Sequence, residues 1–132
     1  MHNHFLIKIV AAPLSVLVIH IIATISGGYE LIQWLDKPIH FLGGIAIAIS
    51  TYYLIAYFTE NKKLQISWMP LQILAITAAV ALSAVSWEFL EYYLDMTTAS
   101  MMQPSVQDTI TDMLMGLAGG MLTAIIISWR KK

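Results

Sequence analysis

Five carboxylates and one imidazole recur at helical spacing: Asp36 with His40 (i,i+4), Glu88 with Glu91 (i,i+3) and Asp108 with Asp112 (i,i+4). Each pair occupies one face of a helix. Acids gathered in a partly desolvated place repel one another, so they must be protonated, paired or neutralised by a cation. Lys37 is the one basic residue expected near them, which leaves a bound divalent ion as the economical counter-charge. Carboxylates with a single histidine suit Mg²⁺, Mn²⁺, Ca²⁺, Zn²⁺ or iron, and the mixture does not choose among them. The spacing thus predicts a metal site on Asp36, His40, Glu88, Glu91, Asp108 and Asp112. Acid pairs from several helices also build the di-metal sites of helical bundles, although the Glu-x-x-His motif of those bundles is absent here.

Blander roles compete at several positions. Asp36 caps a helix ahead of Pro38, and Ser105 with Asp108 caps a later one. Glu30 and Asp95 are read as solvated interface charges. His20 is expected near mid-membrane as a neutral ring bonded to a neighbouring helix. The methionines are packing residues. Capping does not account for Glu88, Glu91 and Asp112, which fall inside helices on faces that pack.

The elements that must carry these groups are written in the composition. Of 132 residues, 58% are hydrophobic and 11% charged, against roughly 45–50% and 25% in soluble domains. So few charges cannot cover a soluble surface. The net charge of −1 gives no basic field for nucleic acid, and the absence of cysteine excludes disulfides, thiolate metal sites and cysteine nucleophiles. Uncharged stretches run over 9–29, 38–59, 64–87 and 113–129, each near the ~20 residues that cross a bilayer. The first outruns a signal-peptide core and is read as a retained helix, with Pro13 tolerated in an early turn. The expectation is an all-α chain, residues 1–132 forming one bundle of four transmembrane helices joined by loops at 27–35, 60–66 and 96–104.

Lys8, Lys62, Lys63, Arg130, Lys131 and Lys132 fall on one side of that topology and Lys37 on the other. Cytoplasmic flanks collect Lys and Arg, so both termini are expected in the cytoplasm of a plasma-membrane protein. Trp68 and Trp129 then mark the inner interface and Trp34 and Trp87 the outer one. Counting ~1.5 Å per residue from Glu60, Trp68 and Arg130 brings His40, Glu88 and Asp112 to one level near the outer hydrocarbon edge. Intramembrane acids are functional candidates by default. The same faces continue inward as small residues, Gly44 and Ala48, then Thr77, Ala81 and Ala84, then Gly116 and Gly120, which predicts close helix packing along them.

The stretches Asp36-Lys37-Pro38-Ile39-His40-Phe41, Trp87-Glu88-Phe89-Leu90-Glu91 and Gln107-Asp108-Thr109-Ile110-Thr111-Asp112-Met113 resemble the YjdF-like predicted inner-membrane proteins. They are similar, more distantly, to the VanZ-like family associated with glycopeptide resistance. The resemblance implies that Asp36, His40, Glu88, Glu91, Asp108 and Asp112 form the family's polar motif, and it implies no activity. Three functions remain open. One is metal-assisted chemistry on a lipid or lipid-linked substrate, with His40 or Glu91 as acid/base. Another is cation or proton binding or transport. The last is an accessory role beside a partner membrane protein. No phosphate-cradling loop, dinucleotide fingerprint or Ser/His/Asp arrangement is present.

Overall fold

The structure, a computed structural model, describes residues 2–98 and 102–129, with side chains from residue 5 onward. Arg130, Lys131 and Lys132, used above to orient and measure the last span, and residues 99–101 of the expected 96–104 loop lie outside it. The described residues form α1 (His2–Ile25), α2 (Gly28–Leu31), α3 (Asp36–Glu60), α4 (Met69–Thr98) and α5 (Val106–Trp129), with no strand among them. Four segments, Phe5–Ile25, Asp36–Glu60, Met69–Thr98 and Val106–Trp129, are long and apolar enough to cross a membrane.

Each crossing differs from its uncharged run for a local reason. The first ends at Ile25 because Gly27 adopts φ +69°, a left-handed turn open to glycine, and leads into the single turn of α2. Residues 64–68 are not helical, and α4 starts at Met69 with Pro70 in its first turn, where a missing N–H costs nothing. Toward the other end, α3, α4 and α5 continue through their charged residues, since those charges find partners inside the bundle.

Pro13 does not lie in an early turn. α1 begins at His2, so the proline falls mid-helix and deprives the Ile9 carbonyl of its donor four residues on. Ser50 of α3 supplies the replacement: its Oγ lies 2.6 Å from the Ile9 oxygen and 2.9 Å from that of Ala46. An unsatisfied carbonyl costs several kcal/mol in hydrocarbon, so this one hydroxyl fastens α1 to α3 where α1 would otherwise be defective.

The core lies among α3, α4 and α5, where Ala48, Ile76, Val80 and Ala124 are buried together. α1 packs on α3 and is the least buried of the four crossings. Lipid is as apolar as leucine, so close backbone approach, not hydrophobicity, must hold the helices together. Gly44 faces the Gly116 carbonyl and Gly119 the Phe41 carbonyl so closely that a Cβ on either would overlap that oxygen. Gly120 receives Val80, whose methyls lie 2.6 Å from where a Cβ would stand.

That last contact corrects the expected face of α4. The buried stripe runs through Gln72, Ile76, Val80, Glu88 and Glu91, while Thr77 and Ala81 are only half-buried. A bulky β-branched side chain enters the notch that Gly120 provides, in place of small residues meeting small ones. The α3 and α5 faces carry Gly44, Ala48, Gly116 and Gly120 buried as the periodicity requires.

Candidate functional site

At the end of the bundle carrying α2, the six predicted side chains converge, in two linked groups. The first gathers around Lys37. Its ammonium donates to Asp108 Oδ1 at 2.5 Å and Asp112 Oδ1 at 2.7 Å, and lies 3.7 Å from Asp36 Oδ2. An ammonium has three protons, so one lysine links α3 to α5 through carboxylates on both helices. Asp112 is almost fully buried, whereas Asp36, Lys37 and Asp108 are partly exposed at the rim.

Asp36 does not cap α3. Leu35 holds the cap position with no side-chain bond, and the Asp36 carboxylate turns to Lys37 and to His40 Nε2, 3.4 Å away. Ser105 does cap α5, accepting the Asp108 N–H at 3.1 Å, and this frees the Asp108 side chain for Lys37.

Among the described residues, the second group has no cationic partner of that kind. His40 Nδ1 lies 3.9 Å from Glu88 Oε1, and Glu88 and Glu91 are both buried. Trp87 Nε1 donates to Glu91 Oε1 at 2.8 Å. Gln103 Nε2 donates at 2.8 Å to Glu88 Oε2 and, at the same distance, to the Glu88 backbone carbonyl. Gln103 is itself positioned by Asp95, which accepts its N–H at 2.8 Å and that of Met102 at 2.7 Å. Asp95 therefore organises a loop, contrary to its reading as a solvated charge. Among the described residues, Glu88 Oε1 is buried with no hydrogen-bond partner. Ligand atoms of His40, Glu88 and Glu91 lie within 4.8 Å of one another, as do those of Asp36, His40 and Asp112, so either trio could close around an ion.

His20 lies five residues from the end of α1, nearer the cluster than mid-membrane, because α1 ends earlier than its uncharged run. Its partner is local, the Tyr29 hydroxyl at 2.7 Å from Nδ1. Burial pushes the Tyr29 phenol above its ordinary range, so it stays protonated. The His20 ring also sits edge-on to Trp87, with centroids 5.0 Å apart. Trp87 is thus turned inward, unlike the exposed Trp34, Trp68 and Trp129.

Sequence reasoning missed Trp87 and Gln103 as participants and undervalued Lys37. Lys37 was visible as the one base apart from the others, and Trp87 stands at i,i+4 from Glu91 on the same helical face. Gln103, in an aperiodic segment, carried no signal.

The family described as predicted membrane protein (DUF2238) matches residues 4–132. The chain belongs to this family. The DUF2238 match spans every residue of both groups and says nothing of the VanZ-like likeness. No curated protein and no solved structure matches this DUF2238 chain.

Proposed function

We propose that this protein, read as YjdF-like, holds a divalent cation on His40, Glu88 and Glu91 at the outward face of the cytoplasmic membrane, where it acts on the head group of a lipid or lipid-linked substrate. The single observation that carries the reading is the buried Oε1 of Glu88, which makes no hydrogen bond among the described residues and lies 3.9 Å from His40 Nδ1. Five carboxylates against the one ammonium leave a formal charge of −4 with His40 neutral. Lys37 answers the aspartates, so the remaining deficit falls on the glutamates. The aspartate trio is the poorer cation site because the Lys37 ammonium already stands 2.7 Å from Asp112.

The surroundings suit a ligand set. With His40 Nδ1 toward the ion, its Nε2–H faces Asp36, the arrangement in which a carboxylate fixes the tautomer and orientation of a ligating imidazole. Trp87 and Gln103 hold one oxygen each of Glu91 and Glu88, leaving the other oxygens for the ion. A bound ion would supply Lewis acidity and a water of lowered pKa. The outward orientation rests on Lys8, Lys62 and Lys63 at the opposite end of the bundle.

Metal analysis of detergent-purified protein, paired with melting in chelator and in added divalent ions, tests this. An ion that binds only the folded state at a hundredfold excess over Kd adds about 2.7 kcal/mol. Chelation is expected to lower the melting temperature, metal to restore it, and Glu88→Gln to abolish the response. A wild-type melting curve indifferent to chelator and to every divalent ion overturns the metal and assigns the cluster to proton binding.

A further inference from the structure

A second space adjoins the cluster. α1 and α4 meet at their outer ends through the His20–Trp87 contact, and below it lies a cavity of about 260 Å³ between them, floored by α3. Val16 and Leu17 line the α1 side, Ser83 the α4 side, and Gly43 and Ile47 the floor. His20, His40 and Trp87 form its cluster end. From His20 to Pro13, His40 to Ile47 and Trp87 to Val80 each lining stretch spans seven residues, so the cleft is about 10 Å long and parallel to the helices.

Gly43 makes this space unlike an ordinary packing defect. Gly44, Gly119 and Gly120 are glycines because another helix leaves no room for a Cβ, but a Cβ at Gly43 would meet nothing within 4 Å. Glycine inside a helix costs about 1 kcal/mol relative to alanine, and no packing within the protein recovers it here. The residue keeps open a space that the chain itself does not fill. That space runs beside the apolar crossings, is apolar along its length and ends at His20, whose Nε2 carries the ring proton when Nδ1 accepts from the Tyr29 hydroxyl and so can donate to an anion.

We infer that this cleft takes the head-proximal stretch of one hydrocarbon tail of a bilayer phospholipid, entering sideways between α1 and α4, with its phosphate directed to His20. The inference rests on reading the cluster as the chemical end of the site and names the substrate class that reaches it. Tail burial in a membrane has no hydrophobic drive, so the head group and the fit of the cleft distinguish this lipid from its neighbours.

The test uses protein reconstituted in nanodiscs containing a phospholipid with a photoactivatable diazirine near the head end of one tail. Adducts are mapped by peptide mass spectrometry. The expected result is adducts concentrated on Val16, Leu17 and Ile47, and their loss in Gly43→Leu and in Ser83→Leu, which fill the cleft from two walls, with melting temperatures not lowered. Adducts spread evenly over lipid-facing residues such as Leu82 and Leu122, or persisting at the cleft in either folded variant, overturn the inference. His20→Phe is expected to reduce the cleft adducts, and full retention there refutes the placement of the phosphate. Glu88→Gln separates the two readings. Loss of metal response with cleft adducts intact supports both, whereas a protein that binds metal without cleft adducts refutes only the tail site.

Discussion

Replacing Lys37 with methionine removes the one ammonium that faces Asp36, Asp108 and Asp112 while keeping an unbranched side chain of similar length. At the observed separations of 2.5–3.7 Å, unit charges attract by roughly 4–7 kcal/mol per pair at an effective dielectric of about 20, before desolvation. Desolvation and acid–acid repulsion cancel most of that. Breaking a buried ion pair costs about 3–5 kcal/mol, chiefly from the charge left alone. The lysine side chain is 24% exposed, so water screens part of the loss and the lower end applies. We expect Lys37→Met to cost about 3 kcal/mol, or a melting temperature lower by roughly 10 °C. The decisive assay is a double-mutant cycle in detergent with chelator present, so that metal does not enter. Asp112→Asn removes the buried partner, and the double variant is expected to be more stable than Lys37→Met alone by at least about 1 kcal/mol. Additivity within about 0.5 kcal/mol would refute the reasoning, because independent sites add and members of one charge network do not.

Three further outcomes follow from the packing and the topology. Gly44→Ala drives a Cβ into the Gly116 carbonyl and is expected to destabilise by about 1–3 kcal/mol or more, whereas Gly43→Ala gains up to about 1 kcal/mol of helix propensity; melting curves in the reverse order would contradict the α3–α5 seam. Ser50→Ala strands the Ile9 carbonyl and is expected to lower stability by about 1–3 kcal/mol, and Pro13→Ala in the same chain, which restores an amide donor, should recover most of the loss. In this cysteine-free chain, Leu31→Cys, at an 82% exposed position, should react with an impermeant thiol reagent in intact cells and Lys63→Cys only after lysis, the opposite pattern reversing the orientation.

Four crossings were legible from apolar runs alone, because bilayer thickness sets a length that composition reveals. The meeting of His40, Glu88 and Asp112 was legible too, since helical rise converts residue counts into depth. What the chain did not disclose were matters of rotation and reach. Which face of α4 turns inward depends on Val80 finding the notch at Gly120, a property of two helices at once. Lys37 looked insufficient as a counter-ion because its four-carbon stem, which lets one ammonium reach α5 while touching Asp36, has no trace in residue spacing. Gln103 lies in an irregular stretch, where no period says what a side chain will touch. Pro13 was misplaced because charge-to-charge counting starts α1 too late.

The bond between Ser50 and the Ile9 carbonyl has a mechanical consequence. A helix held against its neighbours only by greasy contacts slides and spins at little cost. α1 instead carries a directional docking point, created where the proline vacates a carbonyl, and a shift of one residue along α3 would leave hydroxyl and carbonyl out of register. With the His20–Trp87 contact near the far end, α1 is pinned at two heights like a gatepost on two brackets. The gap between it and α4 is therefore held at one width, set by the Ser50 bond and the His20–Trp87 contact.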